Sequence, residues 1–204
     1  MKEKLILIGG GGHCKSCIDV IEQEGHFVIA GITDQPHKIG EKLLGYTVLA
    51  SDEAIPNLAA GHQFLITIGH IRTAEPRVRL YKELLAVNAD IATVISPCAY
   101  VSPHAQIGQG TIIMPGATVN AAAKVGNNCI INSHALVEHD AVISDHCHIA
   151  TGAIINGGVQ IGEQGFIGSR TMIREYINIG AESFIAAGMS IYQDLPRQSR
   201  VKPK

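Results

Sequence analysis

Glu138-His139-Asp140 is the stretch of this sequence whose side chains could do acid–base chemistry. An imidazole beside a carboxylate is a general base with an orienting partner. The acid fixes which ring nitrogen carries the proton and steadies the ring when the other nitrogen takes one up. Asp145-His146-Cys147-His148 follows shortly after, and Gly157-Gly158 stands eighteen residues beyond His139-Asp140. Glycines stacked against the base would leave it room and offer backbone N–H groups to a developing oxyanion. A solvated surface histidine is the competing reading. Near the other end, Gly9-Gly10-Gly11-Gly12-His13 joins the apolar run Leu5–Ile8 to a helical pattern (Cys17, Ile18, Val20, Ile21) that stops at Gly25. Glycines between a strand and a helix let N–H groups approach a phosphate. The dinucleotide fingerprint is incomplete, with Cys14 where its third glycine would stand, so a mononucleotide is the expectation. Asp34, about twenty residues further on, would accept hydrogen bonds from the base or ribose. A tight turn with no ligand is the alternative.

The elements that must carry these residues come from a six-residue repeat. From Ile95 to Ile191 an Ile or Val stands at every sixth position, seventeen in succession. The fourth residue after each is small or apolar (Ala99, Ala105, Ala117, Ala123, Cys129, Ala135), and the residue just after is often Gly, Asn or Ser. A period of six fits neither a helix nor a simple strand. It fits short strands meeting at corners, three hexads to a triangular coil, with residues eighteen apart stacked at the strand spacing of about 4.8 Å. The aliphatic residues point inward, and the Gly or Asn after each is expected to turn the corner with positive φ. His139, two residues past Val137, then faces outward between Ala121 and Gly157. Prisms of this kind expose flat faces, so a homotrimer with clefts between prisms is expected.

Residues 1–94 read differently. Strands at Leu5–Ile8, Phe27–Ile32 and Phe64–Ile68 alternate with helices, the last from about Glu75 to Val87, which predicts a small Rossmann-like parallel sheet. The fold class is thus an α/β domain over 1–94 followed by a left-handed parallel β-helix over 95–204.

Composition limits the partners. Sixteen basic against eighteen acidic residues, spread along the chain, argue against nucleic acid or a membrane surface. No apolar run approaches a membrane span, and the start is too short and acidic for a signal peptide, so a cytoplasmic location is expected. The five cysteines (Cys14, Cys17, Cys98, Cys129, Cys147) are odd in number and scattered, and should be free thiols. Cys14-Lys-Ser-Cys17 has redox or zinc spacing, but no second pair completes it, so a buried structural role is expected.

The hexad ladder, the Gly-Gly-Gly-Gly-His opening and Glu138-His139-Asp140 together resemble the bacterial hexapeptide-repeat sugar acetyltransferases. These N-acetylate nucleotide-linked 4-amino sugars or O-acetylate sialic acids. The resemblance spans nearly the whole chain. It implies that His139 is the general base and Asp140 its orienting acid. It implies acetyl-CoA contacts at Asn132, at His148 near the thioester, and at the Gly157 amide holding the acetyl oxygen, with CoA in the groove between prisms. The nucleotide-linked sugar would meet Gly9, Gly10, Gly11, Gly12, His13, Asp34 and Gly69. No metal is implied. The chain departs from the family pattern at Ile68-Gly69-His70, where the family often has Asn after the Gly, and in its short tail, Val201-Lys202-Pro203-Lys204.

The expected activity is direct acetyl transfer from acetyl-CoA to the amino group of a nucleotide-linked sugar in surface-glycan biosynthesis, without an acyl-enzyme. O-acetylation of a sialic-acid-type sugar is the nearer alternative. A zinc hydratase drawing on His134, His139, His146 and His148 is more remote, as is a non-catalytic nucleotide-sensing scaffold.

Overall fold

Why a strand forms at Leu5–Ile8 is plain from its burial: all four side chains are fully enclosed, as in a strand covered on both faces. A computed structural model describes residues 2–203 and resolves them into two compact units, one running to Gly69 and resuming over Glu75–Val94, the other formed by His70–Ala74 and Ile95 onward.

The first unit holds β1 (Glu3–Ile8), α1 (Gly12–Glu24), β2 (Phe27–Asp34), β3 (Lys42–Leu43), β4 (Tyr46–Ser51), α2 (Ile55–Leu58), β5 (Gln63–Ile66), α3 (Glu75–Ala86) and β6 (Asp90–Ile91). The sheet order is β3-β4-β2-β1-β5-β6. Its pairings are parallel except β3 with β4. α1 ends where the sequence says it should: Gly25 takes φ 73° and its N–H returns to the Ile21 carbonyl. One face of the sheet packs Ile6, Ile8, Phe64 and Ile66 against Ile55, Leu80, Tyr81 and Leu84. Arg77, buried to 1% exposure, donates from Nη1 to the carbonyls of Ile66 (2.8 Å) and Ile68 (2.7 Å), tying α3 to the chain leaving β5.

The second unit is the left-handed parallel β-helix. Two-residue strands, each ending on a ladder residue except the last, Arg200–Val201, stack into three parallel sheets of seven, six and five strands. Steps up a sheet are eighteen residues, as in Ile130↔His148, Leu136↔Ile154 and Val142↔Gln160, until the final one, where Phe184 pairs with Arg200 sixteen residues on. The interior is the Ile/Val ladder and the small residues four places on; Ala117, Ala123, Cys129, Ala135, Ala141, Cys147 and Ala153 are at most 1% exposed. Narrow corners leave no space for rings inside, which explains why aromatics are only 4% of the chain.

The expected corner geometry needs correction. Positive φ falls three residues after the aliphatic position, not one: at Gly110, Gly116, Ala122, Asn128, His134, Asp140, His146, Gly152 and onward. Glycine directly after the aliphatic residue has a different cause. A Cβ on Gly108 would stand 2.7 Å from the Asn127 nitrogen and overlap the Gly126 carbonyl group, so it is the next coil's backbone that excludes a side chain there.

No helix among the described residues is long and apolar enough to cross a membrane.

Candidate active site

Corners project side chains away from the prism, and one corner carries His139. The ring is 56% exposed and its Nδ1 lies 2.8 Å from Asp140 Oδ2. A carboxylate only accepts, so Nδ1 carries the proton and the lone pair is on Nε2. Asp140 reaches back to its neighbour because it occupies the left-handed corner position, φ 60°. Asp is among the few residues that adopt that conformation readily. Glu138, the other carboxylate of the triplet, accepts from Asn120 Nδ2 at 2.8 Å and, at 3.4 Å, from the His139 N–H.

One coil away, Gly157 supplies the wall. A Cβ there would stand 2.8 Å from both Cε1 and Nε2 of His139, so the imidazole lies directly on this glycine. The Gly158 N–H is spent on the His139 carbonyl at 3.0 Å, whereas the Gly157 N–H has no hydrogen-bond partner among the described residues. A base with its lone pair outward, beside an uncommitted backbone donor, can take a proton from a nucleophile while an adjacent oxyanion is held.

Asn132 and His148 are brought together, but not with His139. Asn132 turns the corner before the strand Leu136–Val137 and His139 the corner after it, so a whole prism face separates them. Six extended residues span at most about 20 Å. His148 is not offered to solvent: it is 7% exposed, its Nδ1 is 2.5 Å from the His70 carbonyl oxygen and its Nε2 is 3.1 Å from Asn132 Nδ2. His70 was noted in the sequence only as a departure from a pattern; its pairing with a residue 78 positions on leaves no local signal.

In the first unit the candidate residues gather at the C-terminal ends of β1, β2 and β5. Gly9 has φ 97° and a Cβ there would overlap the Ile68 side chain. Its carbonyl accepts from Thr67 Oγ1 at 2.7 Å. Gly11 and Gly12 face open space, α1 begins with no side-chain cap and no acid in its first turn, and the His13 Cβ lies 3.6 Å from where a Gly69 Cβ would be. Asp34 Oδ2 accepts from the Gly10 N–H (2.7 Å) and Lys38 Nζ (2.9 Å), and Oδ1 from the Gln35 N–H (2.7 Å). It therefore holds the glycine loop. Burial pushes its carboxyl up, but the Lys38 hydrogen bond, the two backbone donors and the Lys38 charge outweigh this and leave it below the ordinary range. Lys38 carried no signal in the sequence.

Cysteine chemistry has no support here. Cys14 and Cys17 are fully buried. Burial pushes the Cys14 thiol up to about 11, with Thr67 opposing and Asp34 adding, and raises Cys17 further. Cys147 points into the prism, where burial and Cys129 raise it. Among the described residues no three His, Cys, Asp or Glu side chains are grouped to hold a metal ion.

Residues 4–84 match the model of the PglD N-terminal domain, and residues 104–139 that of the bacterial transferase hexapeptide (six repeats). Among solved structures, the chain is similar to PerB from Caulobacter crescentus in complex with CoA and GDP-perosamine. The two are 30% identical over 97% of this chain and 92% of that one, with a TM-score of 0.89. A mutant form of the GDP-perosamine N-acetyltransferase from the same organism, bound to the same two ligands, is 29% identical with a TM-score of 0.90 and the same coverage. The acetyltransferase domain of PglB from Neisseria gonorrhoeae, in complex with acetyl coenzyme A, is 27% identical over 96% of this chain and 94% of that one, TM-score 0.88. No curated protein sequence gave a match. The chain is an acyltransferase and belongs to the bacterial hexapeptide-repeat family of sugar acetyltransferases.

Proposed function

We propose that this protein transfers the acetyl group of acetyl-CoA to the amino group of a nucleotide-linked amino sugar, with His139 as general base and no covalent acyl-enzyme. The observation that carries the reading is the His139 Nδ1–Asp140 Oδ2 contact at 2.8 Å with the ring lying on Gly157. In the reaction the amine nitrogen bonds to the thioester carbonyl carbon and its proton passes to His139 Nε2. The Gly157 N–H donates to the oxyanion. Collapse breaks the C–S bond, and the departing CoA thiolate recovers the proton. An amine acceptor carried on a nucleotide is supported by the relatives bound to GDP-perosamine and by the uncapped, glycine-lined start of α1, where a phosphate would sit against free backbone donors, with His13 and Gly69 beside it. Asp34 then serves that site by holding the Gly10 N–H.

The working form is a homotrimer, with the site in the groove between prisms. Support comes from the separation of Asn132 and His148 from His139 and Gly157 by a prism face, which a neighbouring copy would close. It also comes from the apolar column on that face, where Tyr100 (57%) and Ile154 (38%) are exposed in the single chain. CoA would lie along that groove. The setting is cytoplasmic surface-glycan synthesis, where such activated sugars are consumed.

His139→Ala should lower kcat/KM by about 10²–10⁴ for CoA release with a nucleotide-linked amino sugar while leaving the thermal melt unchanged. Retention of activity, or turnover of sialic-acid hydroxyls in preference to amines, would overturn the reading. Mixing and reassembling His139→Ala with Asn132→Ala, assayed at acetyl-CoA well below its KM, should restore the wild-type kcat/KM at roughly a quarter of the sites, because random assembly pairs two intact corners that often. No recovery would rule out the shared groove.

A further inference from the structure

His148 sits on the outward face of the seven-stranded sheet, where a side chain normally meets water, yet it is buried. Phe166, one coil on, meets its ring edge-on at 5.3 Å between centroids, and Phe184 stacks on Phe166 at 5.1 Å with 9° between planes. Two of the chain's four phenylalanines are thus used to continue this column.

The polar contacts define the ring's chemistry. The His70 carbonyl can only accept, so the proton at that contact belongs to His148 Nδ1. Nε2 of the neutral ring then accepts from the Asn132 amide nitrogen at 3.1 Å. Asn132 is fixed from its other end as well, since its Oδ1 accepts from the Ser133 N–H at 2.8 Å. The amide has one sense only, oxygen to Ser133 and nitrogen to His148, and one Nδ2 hydrogen remains uncommitted by these contacts.

We infer that His148 is a positioning residue: its neutral Nδ1–H ring, set by the His70 backbone, holds the Asn132 amide so that the remaining N–H is presented to a carbonyl oxygen of acetyl-CoA. The inference rests on the acetyltransferase reading. It gives the contact with the acetyl donor to Asn132, whereas the family resemblance puts His148 itself near the thioester. A mis-set amide would present its oxygen instead, and two acceptors would face each other.

Glutamine at 148 carries one donor and one acceptor spaced about as the ring nitrogens are, and it cannot shuttle a proton. Phenylalanine extends the aromatic column and carries neither. His148→Gln should keep kcat/KM within about threefold, while His148→Phe should raise KM for acetyl-CoA about tenfold and leave KM for the sugar unchanged, the size expected for one oriented hydrogen bond. Asn132→Ala should match His148→Phe, and the double variant should be no worse than either single one. Ring ¹⁵N NMR of the wild-type protein at pH 7 should show Nδ1 protonated and Nε2 bare. A protonated Nε2, a glutamine variant as impaired as the phenylalanine one, or additive losses in the double variant would each overturn the inference. The NMR readout needs no turnover, so it separates failure of this inference from failure of the acetyltransferase reading, which His139→Ala tests.

Discussion

Gly157→Ala isolates one contact. Gly157 is not at positive φ, so an alanine meets no backbone strain, and its Cβ would stand 2.8 Å from Cε1 and Nε2 of His139. Carbon pairs settle near 3.5–4.0 Å, so the ring must withdraw by about 0.7–1.2 Å. It is free to do so, being 56% exposed and held by Asp140 alone through its ring. Fold stability should therefore change by less than about 0.5 kcal/mol, as for an ordinary surface substitution. The rate should suffer, because a displacement near 1 Å of a reacting group costs on the order of 10²-fold. Gly108→Ala makes a matched control. It inserts the same methyl group against rigid backbone, the Asn127 nitrogen at 2.7 Å and the Gly126 carbonyl group, at a corner remote from the base. That overpacking should cost about 1–3 kcal/mol, roughly 2–4 °C of melting temperature per kcal/mol in a chain of this length. The assay is CoA thiol release at saturating acetyl-CoA, read beside a thermal melt. Gly157→Ala should lose kcat and keep its melt; Gly108→Ala should do the reverse. Full activity in Gly157→Ala would mean that the imidazole does no chemistry where it lies, and the general-base reading would fall with it.

The Asp34 carboxyl has its pKa lowered on folding, so it adds stability above the unfolded value near 3.9 and loses it as pH falls through the folded value. Asp34→Asn should lower the melt at pH 7 by roughly 2–4 °C, about 1 kcal/mol, with the gap closing below about pH 4; a gap constant with pH would show that the charge is not what holds the loop. Cys98 is exposed while the other four thiols are buried, so Ellman's reagent at pH 8 should titrate one thiol quickly and all five after denaturation. Rapid reaction at Cys14 or Cys17 would restore a redox role to that pair.

What could be read from the sequence was whatever repeats. Seventeen aliphatic residues at a spacing of six leave no other winding, so the prism, its interior and the outward placement of His139 followed from counting. The stacking of His139 on Gly157 followed from the same count. Exceptions to the repeat were harder. Glycine after the aliphatic residue looked like a turn former, but its cause is the neighbouring coil's backbone, which no single coil reveals. Asp140 was expected as a partner for the base, yet its left-handed conformation, which turns the side chain back, was not anticipated. Asp34 drew attention by its spacing after the glycines and proved to hold the Gly10 N–H. The β3–β4 hairpin was missed because Lys42–Leu43 and Tyr46–Ser51 mix polar and apolar residues without a clear alternation. The His70 carbonyl could not be found at all, since main-chain atoms carry no sequence signature.

Register by eighteens makes the chain intolerant of small length changes in a way most folds are not. One residue gained or lost within a coil would turn every later inward side chain toward water, whereas removal of a full coil would preserve the ladder and change only what lies above what. Excising 141–158 would leave Asp140 joined to Val159 and bring Glu175 to the place Gly157 occupies, setting a carboxylate against the imidazole where a bare backbone now stands. Divergence among such enzymes should therefore proceed by whole turns of the winding or by excursions at its edges, and the distance between base and wall should outlast nearly every other feature of the sequence.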